Sequence, residues 1–218
     1  STANFTNAAA TPQYPQVGRL QSTSAGATLT VTPSIFTNQG PISVSNGTVN
    51  VGGDWTNSNT ITHTGGTLNF GGTYELSDLG TYARQNGTAG ATNLTGTLTN
   101  TGTLTLDKPN GYGTWSLSGG TIVGGTVTTA NGAQLLLNGG TLNGVTIDAG
   151  SDVVMNPGRP AMGVVNGLTV NGRITLQGTP DSDKYGLFFF GSQSLDGSGE
   201  ILFQANDVGF SEGLYLSQ

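Results

Sequence analysis

Cysteine is absent from this chain of 218 residues, which excludes a disulfide framework and any thiolate-ligated metal. Charge is scarce as well: Asp, Glu, Lys and Arg make up 8% of the residues, against about a quarter in ordinary soluble domains. The six basic residues, Arg19, Arg84, Lys108, Arg159, Arg173 and Lys184, are scattered singly. No polybasic segment exists to meet a membrane surface, and with a net charge of −6 the chain is not expected to bind nucleic acid through phosphate contacts. A single histidine, His63, rules out two-histidine metalloprotease motifs. No apolar run approaches the roughly 20 residues of a transmembrane helix, and no stretch carries a sustained helical period. The opening residues STANFTNAAA lack the charged and apolar regions of a signal peptide, so the sequence reads as a mature protein or an excised fragment.

What the sequence does have is 37 glycines set among short β-branched runs. Without a strict triplet period this is not collagen, and a net charge this modest does not enforce disorder. The most regular stretch, residues 116–148, holds two near-copies of one phrase, GGTIVGGTV from Gly119 and GGTLNGVTI from Gly139. The difference, 139 minus 119, is a period of 20. Upstream, Val49-Asn50-Val51-Gly52-Gly53 matches Leu68-Asn69-Phe70-Gly71-Gly72 at an offset of 19. A fixed period near twenty, with paired glycines and alternating apolar residues, predicts an all-β right-handed parallel β-helix, a β-solenoid with coils of ~20 residues. Leu, Val, Ile and Phe at alternate positions stack inside, and Thr, Asn and Ser form ladders outside or at corners.

The domain division expected from these patterns is an N-terminal arm or linker over residues 1–24, then one solenoid over residues 25–218. That solenoid includes a more aromatic C-terminal section at 177–218. Asn46-Gly47 and Asn171-Gly172 read as left-handed turns between strands. Residues 75–84 read as an irregular charged loop, and 107–113 (DKPNGYG) as an inserted loop.

The GGTL-type units, TGGTLNFGGTY from Thr64 and LNGGTLNGVTID from Leu137, resemble the repeat regions of large bacterial surface proteins, as does SQSLDGSGEI from Ser192. The family is that of adhesin-like, filamentous-haemagglutinin-type and autotransporter-passenger β-helices. The resemblance covers residues 25–203 and is one of style, since low-complexity solenoids converge on this composition. It implies a secreted or surface-displayed, extracellular parallel β-helix and carries over no catalytic residue.

Residues equipped for chemistry are few. P-loop, nucleophile-elbow and dinucleotide-binding motifs are all missing. His63, placed between threonines, reads as solvent-facing or turn-side. Asp148 and Asp152, joined by Arg159 or Arg173 from neighbouring coils, are the best candidates for paired acid and base chemistry on a polysaccharide. That reading requires three or more of these and neighbouring polar groups to converge in one groove. Asp181 and Asp183 begin a calcium-like loop, but Ser192 stands where the bidentate glutamate belongs, so a solvated turn is the plainer reading. Tyr112, Trp115 and Trp55 lie near loops and are candidate platforms for stacking on glycans. Thr97, Thr99, Thr101, Thr103 and Thr105 alternate as in ice-binding solenoids, yet no equivalent row recurs in register.

The expectation is therefore a non-enzymatic structural or adhesive solenoid without cofactor or metal, acting as a stiff spacer, display surface or filament-forming subunit. Its partners would be further copies stacked end to end, or a glycan or host-surface ligand. A polysaccharide-binding or polysaccharide-degrading β-helix and an ice-binding solenoid are the competing classes.

Overall fold

A computed structural model describes residues 3–8, 18–85, 90–109, 111–158, 161–177, 185–204 and 212–217. Every strand pairing in it is parallel, and the strands stack as a three-sided β-solenoid. The first side runs through ten strands from Asn4–Asn7 to Glu212–Ser217. The third runs through nine, from Thr28–Val31 to Glu200–Gln204. The second side begins as a four-stranded sheet ending at Thr81–Arg84. It resumes at Thr103–Asp107 as an extension of the first side's sheet. From Gly140–Ile147 onward, sides one and two lie on one continuous strand with a bulge between Asn143 and Val145.

The interior is built by alternation. On the first side, Phe36, Trp55, Tyr74, Leu98, Ile122, Leu142, Val164 and Phe189 occupy one inward column and are all buried. Subtracting successive numbers gives coils of 19, 19, 24, 24, 20, 22 and 25 residues. The expected ~20-residue period is thus met where the coil is bare and exceeded where a segment is inserted. The two phrases read from the sequence sit directly on one another, with Thr121 opposite Thr141 and Ile122 opposite Leu142. So do Val49 with Leu68 and Val51 with Phe70.

Glycine explains the corner between sides three and one. A Cβ on Gly72 would lie 1.9 Å from the carbonyl oxygen of Gly53, and one on Gly96 would lie 2.2 Å from that of Gly72. Gly120 and Gly140 repeat the contact at 2.5 and 2.2 Å. The chain crosses itself here with no room for a side chain, and that is why a glycine recurs at this position, as Gly53, Gly72, Gly96, Gly120 and Gly140, coil after coil.

Polar ladders run beside the apolar columns. Inside, Asn7 donates to Asn38 Oδ1 and Asn38 to Asn57 Oδ1, each at 2.6 Å, while each side-chain amide also donates to a backbone carbonyl at the corner. Outside on the third side, Asn50 donates to Thr30, Asn69 to Asn50 and Asn93 to Asn69. Stacking identical amides lets each satisfy the next, so burial of the inner set leaves the linking amide groups paired.

Three expectations are corrected. The solenoid begins before residue 25: Asn4–Asn7 pairs with Ile35–Asn38 and Leu20–Ser22 with Ile42–Val44, because one alternating apolar residue per short strand suffices for a rung. Within residues 75–84 lie a 3-10 turn, Leu76–Leu79, and a side-two strand, Thr81–Arg84. Neither Asn46-Gly47 nor Asn171-Gly172 adopts positive φ; the corners they form join strands of different sides.

Candidate functional site

The candidate groups fall into three places. The first is the corner between sides two and three, where three successive coils contribute Ser151-Asp152, Asn171-Gly172-Arg173 and Ser198-Gly199-Glu200. Parallel register sets Asp152 against Arg173 and Arg173 against Glu200. The result is an open groove of about 480 Å³ along the rod axis. Its floor is backbone: a Cβ on Gly172 would come within 2.4 Å of the Asp148 carbonyl oxygen, and one on Gly199 within 2.0 Å of that of Gly172. Its charges alternate in sign. Arg173 Nε donates to Glu200 Oε1, both side chains being half exposed. Asp152 Oδ2 accepts from Gln134 Nε2 at 2.7 Å, and Asn171 Oδ1 accepts from the Ser198 amide at 3.3 Å.

Asp152 and Arg173 therefore do meet, and Asp148 does not line the groove. Arg159 lies outside the described residues. Glu200 is the member that sequence reasoning missed. Its signal was the match of Arg173-Ile174 to Glu200-Ile201, hidden by a 27-residue offset.

The second place surrounds His63, and here the sequence reading is overturned. His63 is fully buried, on the inward column that carries Val44 one coil earlier. Nδ1 lies 2.9 Å from Tyr82 Oη, which lies 2.7 Å from Thr92 Oγ1. Burial first, and the Arg84 guanidinium second, hold the imidazole down at a pKa of about 4, so it is neutral in the fold. Burial pushes the Tyr82 hydroxyl up to about 12. Arg84 follows His63 in register and donates to the carbonyls of Thr114 at 2.5 Å and Gly90 at 2.6 Å. It ties the inserted loop down where the second side's ladder breaks, beside a groove of about 370 Å³ that Lys108 also lines.

Because the folded pKa of His63 lies below its unfolded value of 6.5, the unfolded chain takes up the proton first as pH falls. The stability that neutral His63 contributes is present above pH 6.5 and lost as pH falls toward 4. Relative to His63→Val, the wild-type chain is expected to lose roughly 2 kcal/mol between about pH 7 and about pH 4.5. Urea midpoints at the two pH values measure it; parallel losses in both proteins would refute the buried neutral imidazole.

The third place is the aromatic centre. Trp55 and Trp115 are core residues, so neither offers a face to a glycan. Trp55 stacks on Tyr74 with centroids 4.4 Å apart and donates from Nε1 to the Gly71 carbonyl at 2.9 Å. Trp115 lies 5.3 Å from Phe70 and 6.1 Å from Tyr82, and its Nε1 donates to the Tyr112 carbonyl at 3.2 Å. Tyr112 is half-buried, with its ring against both Tyr82 and Trp115. The loops beside these residues hid their inward parity. Asp181 and Asp183 lie outside the described residues.

Threonines do recur in register, contrary to expectation. Thr73, Thr97, Thr121 and Thr141 form one outward column on side one, and Thr103, Thr126, Thr146 and Thr169 another on side two. Coil lengths of 24, 24 and 20 conceal the first of them in the sequence. On side one the file is single, the next outward positions being Glu75, Thr99, Val123 and Asn143, whereas on side two Thr105 and Thr128 stand beside Thr103 and Thr126 as a patch two coils long.

No family model matches this chain, and neither the curated proteins nor the solved structures contain a match to it.

Proposed function

We propose that this chain is a non-enzymatic structural rod of an extracellular or cell-surface protein, a stiff spacer that carries binding features on its outside. The observation that supports this reading is the unbroken register of the first side, ten strands stacked in parallel from Asn4–Asn7 to Glu212–Ser217. Every rung is locked to the next by ladder hydrogen bonds and by apolar columns, so bending must break contacts along a whole side at once. A chain without cysteine gains its stiffness from stacking alone. Both ends show the same interior column uncovered, Phe5 at 43% exposure and Leu216 at 84%. End-to-end association of copies through these surfaces belongs to the same proposal, and sedimentation at rising concentration reads it out.

Stiffness is directly measurable because the chain has no cysteine to interfere with labelling. Dyes on Thr6→Cys and Phe190→Cys, both outward and exposed, sit eight strand steps apart. At ~4.8 Å per step their anchor points are about 38 Å apart. Single-molecule energy transfer is expected to give one narrow distance distribution near that value, unchanged by moderate salt. A broad distribution would show a flexible string of coils and defeat the proposal.

A further inference from the structure

We propose that the groove formed by Asp152, Arg173 and Glu200 is a binding site for a neutral linear polysaccharide lying along the rod axis. This goes beyond the role of spacer, since it assigns the rod a ligand and a place to hold it.

Three features of the groove carry the assignment. The first is its repeat: one charged side chain per coil, at the strand spacing of ~4.8 Å, which is close to the length of one pyranose unit in an extended glycan. Three coils thus address about three sugars in succession. The second is its alternation of acceptor, donor and acceptor. Among the described residues, Asp152 uses one carboxylate oxygen on Gln134, and Arg173 and Glu200 use one atom each on one another. The second oxygens of both carboxylates and the terminal nitrogens of Arg173 make no hydrogen bond within the described residues, and a pair of neighbouring sugar hydroxyls both donates and accepts. Asn171 and Ser198, already joined by a hydrogen bond, set a neutral polar wall beside them.

The third feature is charge. Two carboxylates and one guanidinium give the groove a net charge of −1 (−2 + 1), in a chain whose overall charge is −6. A polyanionic glycan is repelled there, whereas a neutral one is not. A peptide has no strand edge to join between Asp152 and Arg173, because Asp152–Met155 and Arg173–Gln177 are each paired on both sides. The groove is open along its length and admits a polymer from either end.

The test is a titration of the folded 218-residue chain, followed by calorimetry and by amide chemical shifts, with cellohexaose and xylohexaose as neutral probes and hexagalacturonate as the anionic one. Saturable one-to-one binding of a neutral hexasaccharide is expected, with shifts centred on residues 151–152, 171–173 and 198–200. Arg173→Gln and Glu200→Gln are each expected to weaken it about tenfold, the loss of one charge-assisted hydrogen bond. Both positions are half exposed, so their thermal unfolding midpoints should match the parent's. Hexagalacturonate should bind at least about tenfold more weakly. The assignment is overturned if neither neutral probe binds, if the anionic one binds better, if both variants bind like the parent, or if the probes are cleaved. The energy-transfer width of the sugar-free protein is read separately, so failure of this site leaves the rod proposal standing and failure of the rod leaves this one.

Discussion

Gly72→Ala is expected to destabilise the protein by about 4 kcal/mol or more, a large fraction of the stability of a typical domain. Two causes combine. Gly72 has φ of 64°, in the left-handed region that costs an L-residue about 1 kcal/mol. Far more serious is contact: the new methyl group would lie 1.9 Å from the Gly53 oxygen and 2.4 Å from its nitrogen, both backbone atoms that cannot swing away. To make room, one coil must lift off the next at the corner and break ladder bonds such as the one from the Thr73 amide to the Gly53 carbonyl at 2.7 Å. Gly119→Ala is the matched control, with φ of 80° and no atom within 4 Å of the added carbon. It should cost about 1 kcal/mol, the conformational part alone. Urea midpoints for the two variants compare contact with strain directly, and equal shifts would mean that the corner is looser than the glycine column requires.

Trp115→Ala is expected to cost about 3 to 5 kcal/mol, as large-to-small changes at buried aromatics do. The indole is fully buried and packs among Phe70, Tyr82 and Tyr112. Its removal opens a cavity at the level where the second side changes sheets, and it leaves the Tyr112 carbonyl with Arg84 as its remaining donor, at 3.4 Å. Arg84 still holds the loop at the Tyr112 and Thr114 carbonyls, so the loop should loosen without detaching, with the hydrogen-bonded amides of residues 111–113 exchanging faster than in the parent. Thermal unfolding and hydrogen exchange check both statements. If Trp115 were instead a surface platform, the substitution would leave stability within about 0.5 kcal/mol of the parent.

Much of the architecture was legible because a solenoid writes its geometry as a period. The phrase at Gly119 and Gly139 is one coil above another, and the offset of 19 between Val49 and Leu68 is another such pair. Carried back to the second side, that same offset places His63 on Val44, an interior position. The chemistry of histidine, with its ring between two threonines, outweighed the register and gave the wrong side of the wall. The tryptophans failed for a related reason. The inward residue on side one stands two places after the column glycine, as Gly72 to Tyr74 and Gly96 to Leu98 show, and Gly53 to Trp55 obeys the same rule. Nearness to a loop was a weaker signal than parity.

The groove was half legible. Asp152 and Arg173 could be paired by proximity in a repeat, but Glu200 is 27 residues beyond Arg173 and the intervening coil is enlarged. Insertions preserve register in space while erasing it along the chain, because the ladder fixes only the rungs and leaves the corners free to lengthen. For the same reason the threonine columns stayed hidden until strands were set side by side.

Each coil is a self-contained rung whose neighbours present the same cross-section above and below. Removal of residues 119–138, one complete coil of 20 by the difference between Gly139 and Gly119, tests it most directly. The deletion joins Ser118 to Gly139, sets Thr141 on Thr97 and Val153 on Trp115, and leaves seven strand steps between labels at positions 6 and 190. A folded, cooperative β protein is expected, with the single narrow energy-transfer distance shortened by one step of ~4.8 Å. An unfolded chain, or a folded one that keeps the parental distance, would contradict the account.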